Sequence, residues 1–365
     1  MRVLFALPGF HRTDRGAEIA FIAVANELAR LGADVTLIGS GQPRPGTSYK
    51  FLHAGSLGRE KFAGCPSLPF LRDDCGYEEL TFVPQLLWRY RPADYDVTLT
   101  CSYPFTNWVL RRSDLRGHRP RHVFVTENGD WPAYANQSEY RFFSCDGLVC
   151  TNPDFYERNR ARWRSKVIPN GIDCNRFSPG PDERAAFGLP HDRLVVLMVS
   201  ALVASKFVDA GIESVCRIPD AHLVVAGTGP LRALLEAKAA KLLPGRFTLL
   251  SIPPDRMPTI YRSADVFLHL SKDEAFGNVY LEALACGLPI VAHDTTRVRW
   301  IVGDDQFLTA LDEPAAIAGQ IVAASKARTT NEAARLARAQ SFSWTKIGPM
   351  YRDFLQEIVA LPGTQ

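Results

Sequence analysis

Twice along this chain the same rhythm occurs: a short, wholly apolar run, a turn, then a stretch whose apolar positions recur at helical spacing. Val3 to Leu7 is such a run, and residues 8–15 read as a loop. From Ala17, the positions Phe21, Ile22, Ala25, Leu28 and Leu31 mark one face of a helix that Gly32 ends. Val35 to Ile38 is the next strand. Asp96–Cys101, His122–Thr126, Gly147–Thr151 and Lys166–Ile168 repeat the strand pattern. Strands alternating with helices predict a parallel sheet covered by helices on both faces.

A Pro/Gly-rich segment from Phe177 to Glu183 breaks the rhythm and reads as an interdomain linker. Strands then resume at Leu194–Val199, His222–Ala226, Phe247–Ser251, Val266–Leu270 and Ile290–Ala292, with helices over Leu231–Lys241 and Val279–Ala285. Two helices close the chain, at about 313–340 and 346–359. The expected organisation is an α/β doubly wound domain over residues 1–177 and a second over 178–345. A C-terminal helix in 346–365 is expected to pack back on the first. Ligands of open α/β sheets sit beyond the carboxyl ends of the strands, so the expected site is the cleft between the domains. Residues 43–90 match no motif and read as a long loop.

Composition excludes several classes. With 46% hydrophobic and 22% charged residues, the chain is globular rather than disordered or fibrous. No run approaches the ~18 apolar residues of a membrane span, and the N-terminal apolar run reads as a core strand rather than a signal peptide. The formal net charge is +3, with 23 basic against 19 acidic residues up to position 177. The one basic run, Arg158 to Lys166, reads as a solvated face, with an acidic ligand or membrane surface as the alternative. Nucleic acid is not an expected partner, and membrane contact is at most peripheral. The eight cysteines form no Cys-x-x-Cys pair and read as free, buried thiols of a reducing, cytoplasmic protein. No His/Cys/Asp set has metal-ligand spacing, apart from the weak Asp73–Asp74 pair.

The segment Ser271 to Pro289 carries the candidate chemistry. A strand ends at Leu270, and a helix begins near Gly277 and stops at Gly287-Leu-Pro. The free amides of Phe276, Gly277 and Asn278 at that helix start suit anions or hydroxyl oxygens. Glu274 faces the same ligand or caps the helix. Glu282 interrupts an apolar helix face, so it either accepts from a ribose diol or pairs with an arginine. Gly227-x-Gly229 lacks the third glycine of a dinucleotide fingerprint, which argues against a dehydrogenase.

Glu274-x7-Glu282, within E-A-F-G-N-V-Y-L-E-A-L-A-C-G-L-P, resembles the E-x7-E signature of retaining GT-B glycosyltransferases of family 4. Arg15-Gly16-Ala17-Glu18, Ile168-Pro-Asn170-Gly171-Ile-Asp173, Val225-Ala-Gly227-Thr-Gly229-Pro, Tyr261-Arg-Ser-Ala264-Asp265 and Phe342-Ser-Trp344 resemble other family motifs in the family's order. The resemblance implies two Rossmann-like domains facing a cleft. It also implies transfer of a sugar from a nucleotide donor to an acceptor hydroxyl with retention, without metal or other cofactor. The donor is a UDP-, GDP-, ADP- or dTDP-sugar; the acceptor is a glycan, a lipid-linked molecule or a small molecule. A nucleotide-sugar epimerase or a nucleotide-sugar-binding regulatory protein on the same fold is the alternative.

The resemblance also implies roles. Glu282 matches the ribose ligand, Glu274 the group contacting the transferred sugar, and Lys206 the lysine that neutralises the diphosphate. Phe276, Gly277, Asn278 and Val279 supply donor-binding backbone, Gly227 lies in a donor loop, and Gly16 offers its amide to the diphosphate. This sequence departs from the family pattern at three places. Ala201 stands where the family has a second phosphate-binding cation, with Lys272 and Arg297 as candidate replacements. Arg15 replaces a glycine and is placed to reach the phosphates. Glu127 or Asn128 replaces a histidine facing the sugar; Glu127 is the catalytic candidate, and an Asn-Gly turn is the alternative.

Overall fold

The central strands of each sheet are buried on both faces along most of their length, which is what a parallel sheet sandwiched between helices requires, while the strands nearer the edges are only partly buried. The computed structural model describes residues 1–135, 137–272, 274–303, 306–310 and 313–362. They divide into two units, Met1–Asn170 with Trp344–Gln365, and Gly171–Ser343.

The first unit runs β1 (Arg2–Ala6), α1 (Gly16–Arg30), β2 (Asp34–Gly39), β3 (Lys50–His53), α2 (Asp74–Arg89), β4 (Val97–Thr100), α3 (Phe105–Leu110), β5 (Arg121–Val125), α4 (Trp131–Tyr134), β6 (Gly147–Cys150), α5 (Pro153–Asn159) and β7 (Ser165–Val167). Its seven strands are ordered β3-β2-β1-β4-β5-β6-β7, and every pairing is parallel. The order reverses between β1 and β4, the switch point where such sheets bind ligands.

The second unit runs β8 (Leu194–Val199), α6 (Val208–Val215), β9 (Ala221–Ala226), α7 (Arg232–Leu242), β10 (Phe247–Leu250), α8 (Met257–Arg262), β11 (Val266–His269), α9 (Asn278–Ala285), β12 (Ile290–His293), α10 (Thr296–Val302), β13 (Phe307–Thr309), α11 (Pro314–Lys326) and α12 (Glu332–Ser341). Its six parallel strands are ordered β10-β9-β8-β11-β12-β13, with the switch point between β8 and β11. The last helix, α13 (Trp344–Val359), belongs to the first unit. Its Ile347, Tyr351, Phe354, Leu355 and Ile358 join Phe21, Val24 and Leu28 of α1 in one core cluster. Each fully buried side chain of this kind is worth about 1.5–3 kcal/mol.

The eleven expected strands lie within a residue of their bounds, β13 has no counterpart among them, and several readings change. The units divide at 170/171 and 343/344 rather than at 177/178 and 345/346. Ile172 donates its amide to Phe342, Phe177 packs on Tyr261, and Arg262 donates to the Ser178 carbonyl. The segment from Phe177 to Glu183 is therefore fastened to the second unit and is no free linker. The expected loop over residues 43–90 contains β3 and α2. The expected helix over 313–340 is two helices, because the stretch around Arg328–Asn331 turns between α11 and α12. Of the eight free thiols, only Cys101, Cys150 and Cys286 are buried. The basic run is largely paired: Arg158 bonds Asp130, Arg160 bonds Glu157, and Arg164 bonds Glu357. No helix among the described residues is long and apolar enough to cross a membrane.

Candidate active site

In the second unit the switch point gathers three side chains from separate elements. Lys206 ends a short turn after β8, Glu274 lies in the loop after β11, and His269 is the last residue of β11. The Glu274 Oε1 accepts from Lys206 Nζ and, at 2.9 Å, from His269 Nε2. His269 is fixed by stacking on Phe267 and by the edge of Tyr280. Burial alone would raise the Glu274 carboxyl, but the bond and charge of His269, then those of Lys206, hold it at about 2. Glu274 is therefore ionised across the physiological range. Its Oε2 has no partner among the described residues and remains open to a ligand hydroxyl.

The N-cap of α9 is Gly277, at φ 87°, and the Glu274 carboxylate is engaged by Lys206 and His269 rather than by the helix start. A Cβ on Gly277 would also come within 2.8 Å of the Tyr280 ring, so glycine is required both by conformation and by space. The Phe276 side chain is buried in the core beside Trp300 and Phe342, leaving its backbone for a ligand. Val279 packs against that core too. Arg297, in the first turn of α10, donates to the Glu274 carbonyl. Lys272 instead lies 5.2 Å over the Phe207 ring. Of the two candidate replacements for the cation missing at Ala201, Arg297 thus bonds the Glu274 backbone from another element, while Lys272 belongs to the Glu274 loop itself.

Glu282 makes no ion pair among the described residues. Its Oε2 accepts from the Tyr261 hydroxyl at 2.8 Å, while Oε1 has no partner there and is not enclosed. Burial pushes its carboxyl up, and the Tyr261 bond and the charge of Arg176 pull the other way. Gly227 has a different explanation from ligand approach: a Cβ there would meet the Ser200 carbonyl at 1.9 Å. Its smallness lets the loops after β8 and β9 pack together.

In the first unit, Arg15 and Gly16 begin α1 after β1, and Glu127 follows β5. Glu127 sits in a turn closed by the Gly129 amide on Thr126, so the Asn-Gly turn and the buried carboxylate coexist. Asn170 donates to its Oε2 at 2.9 Å, and Oε1 is enclosed with no hydrogen-bond partner. Burial raises this carboxyl to about 7, against the Asn170 bond. Asn128 turns instead toward Cys101. Glu79, also raised by burial to about 7, is occupied by the Thr106 amide at the start of α3. Asp73, Asp74 and Cys75 lie close together, but Asp73 caps α2 through the Gly76 amide, and burial raises the Cys75 thiol to about 12.

Sequence reasoning placed Lys206, Glu274 and Glu282, and the fold puts the first two in contact. It missed His269 and Tyr261. The available signal was a polar group at the end of an apolar strand run, V-F-L-H, and a tyrosine in the short helix before it.

Over residues 15–176 the chain matches the family model Glycosyltransferase Family 4, and over residues 180–340 the model Glycosyl transferases group 1. A GDP-mannose-dependent alpha-(1-6)-phosphatidylinositol monomannoside mannosyltransferase of Mycolicibacterium smegmatis is 37% identical over 142 residues, 34% of this chain and 37% of that protein. The chain thus spans little more than a third of that relative's length. A lipopolysaccharide core biosynthesis glycosyltransferase, LpsE, of Rhizobium meliloti is 27% identical over 298 residues, 80% of each chain. Sucrose-phosphate synthase from Thermosynechococcus elongatus superimposes with a TM-score of 0.80 at 20% identity, covering 98% of this chain and 99% of that one. That likeness shows the GT-B fold.

Proposed function

Because this chain belongs to the group 1 glycosyl transferases of family 4, we propose that it transfers a sugar from a nucleotide-sugar to an acceptor hydroxyl, with retention and without a metal. The observation that carries the reading is Glu274, held ionised by Lys206 and His269 with one oxygen open, near the amide-rich start of α9. The second unit takes the donor: Glu282 Oε1 accepts from ribose hydroxyls, Glu274 Oε2 accepts from hydroxyls of the sugar, and the backbone from Phe276 to Val279 holds sugar and diphosphate. The GDP-mannose donor of the mycobacterial relative is consistent with a nucleotide-sugar here.

The first unit takes the acceptor, whose hydroxyl is oriented by Glu127. The bond from the anomeric carbon to the diphosphate breaks, its electron pair staying on the phosphate oxygen. The acceptor oxygen bonds the same carbon from the same face, and its proton passes to the departing phosphate. Lys206 leaves Glu274 for the charge that grows there. The eight free thiols support a reducing, cytoplasmic setting for the reaction.

Incubation with UDP-, GDP-, ADP- and dTDP-sugars in EDTA, without acceptor, tests this reading. Slow, steady release of one nucleoside diphosphate is the expected result. Tight binding without turnover would point to the regulatory alternative, and turnover that needs added Mn²⁺ or Mg²⁺ would contradict the metal-free route. Separately, Glu282→Gln should weaken binding of that diphosphate by about 1–3 kcal/mol, the range of a hydrogen bond to a charged group. Calorimetry showing an unchanged dissociation constant would remove Glu282 from the ribose site.

A further inference from the structure

We propose that the first unit holds an anionic group of the acceptor, a phosphate or similar oxyanion, among Arg12, Arg15 and Arg59. The inference rests on the reading that this unit takes the acceptor. All three guanidiniums converge on one carboxylate, Glu78, whose side chain is 3% exposed. Arg12 bonds its Oε1, while Arg15 Nη1 and Arg59 Nε share Oε2 at 3.5 and 3.3 Å. A buried carboxylate is satisfied by one well-placed arginine fork; three exceed what the fold needs. A second buried carboxylate, Glu18, lies 3.9 Å from Arg15. Glu60 also acts on Arg12 but is exposed to solvent.

The spare donors face outward. Both terminal nitrogens of Arg59, and Nε and Nη2 of Arg15, have no partner among the described residues, and these side chains are 32% and 31% exposed. Arg12 is half-buried and tied to Ser56, so the cluster is positioned rather than floating. Burial lowers the guanidinium pKa of Arg12 and Arg15, and the charge of Arg59 lowers both further. A bound oxyanion relieves that repulsion. Arg12 and Arg15 belong to the connection after β1 and Arg59 to the one after β3, both beyond carboxyl ends of strands. Planar forks presenting paired N–H groups match phosphate geometry.

The anion could also come from the donor's diphosphate, and the test separates the two. Full-length protein is saturated with whichever of UDP, GDP, ADP and dTDP gives the largest thermal shift. It is then titrated calorimetrically with sn-glycerol 3-phosphate and with glycerol. Glycerol phosphate should bind and glycerol should not. Arg59→Ala should weaken glycerol phosphate ~10-fold or more, as for a lost charge-assisted bond, with nucleotide affinity within twofold. Arg59→Lys should recover part of the loss and guards against misfolding. No binding of glycerol phosphate to the parent overturns the proposal, as does an equal loss of nucleotide affinity in Arg59→Ala. If no nucleotide binds the parent, the transferase reading has failed instead, and titration of the free protein still tests the arginine cluster.

Discussion

Lys206→Ala should lower kcat by ~10²–10³-fold, the loss seen when one preorganised electrostatic group is removed, and should change donor KM much less. In the ligand-free protein Lys206 rests on Glu274, with each side chain 20% exposed. The pair is therefore a parked cation beside a permanent anion. As the glycosidic bond breaks, charge develops on the phosphate oxygen, and the lysine is worth more in the transition state than in the ground state. Ala201 supplies no second cation, which throws more of the load on Lys206. The substitution leaves Glu274 still bonded by His269, so the loop should hold its place and the melting temperature should barely change. Ala201→Arg in the Lys206→Ala background should restore part of the rate. If kcat stays within a few-fold of the parent, another cation carries the diphosphate. Arg297, already fastened to the Glu274 carbonyl, is then the one to mutate before Arg15.

The parts of this molecule that sequence reading found are those with local causes. A strand buried on both faces must be apolar throughout, so β1, β2, β8 and β9 stand out within one residue of their bounds. β3 does not: Lys50–His53 lies at the sheet edge, is only partly buried, and has no apolar run to announce it. α2 was hidden for another reason. It carries Pro84 inside and buries Glu78 and Glu79 beside Phe82 and Leu86, while Leu80, Leu87 and Trp88 are exposed, so polar and apolar residues are mixed on both faces and the amphipathic pattern is blurred. The short helices α6, α8 and α10 have too few turns to show a period.

The candidate site divides the same way. Glu274 and Glu282 lie eight residues apart in one loop-helix segment, and the spacing alone is readable. Their partners, His269 and Tyr261, come from the preceding strand and helix. Arg12, Arg15 and Arg59 meet at Glu78 only because the connections after β1 and β3 both come to α2. Such meetings are set by sheet order, which no local window contains. Gly227 shows the reverse error: a glycine in a ligand-like motif whose small size is demanded by the Ser200 carbonyl.

Glu127→Gln should reduce kcat by ~10²-fold, the scale of misplacing a reacting group, and should change the pH profile as well as the rate. Burial raises the Glu127 carboxyl to about 7, and only the ionised form can accept a charged hydrogen bond that orients the acceptor's hydroxyl. The group is protonated below that value, so turnover of the parent should climb as pH rises through about 7 and level off above it. The glutamine cannot titrate, and the acidic limb should vanish from its residual activity. Asn170 donates to the ionised carboxylate and so pulls its pKa down. Asn170→Ala should therefore move the limb to higher pH, not lower. Stability carries the opposite sign. The native state holds this proton more tightly than the unfolded chain, so Glu127 makes the fold less stable as pH rises from about 4.5 to about 7. Glu127→Gln should remove that loss, and its melting temperature should depend less on pH over that window. A variant that keeps the parent's acidic limb would assign the limb to another group, with Glu127 left as a buried structural carboxyl.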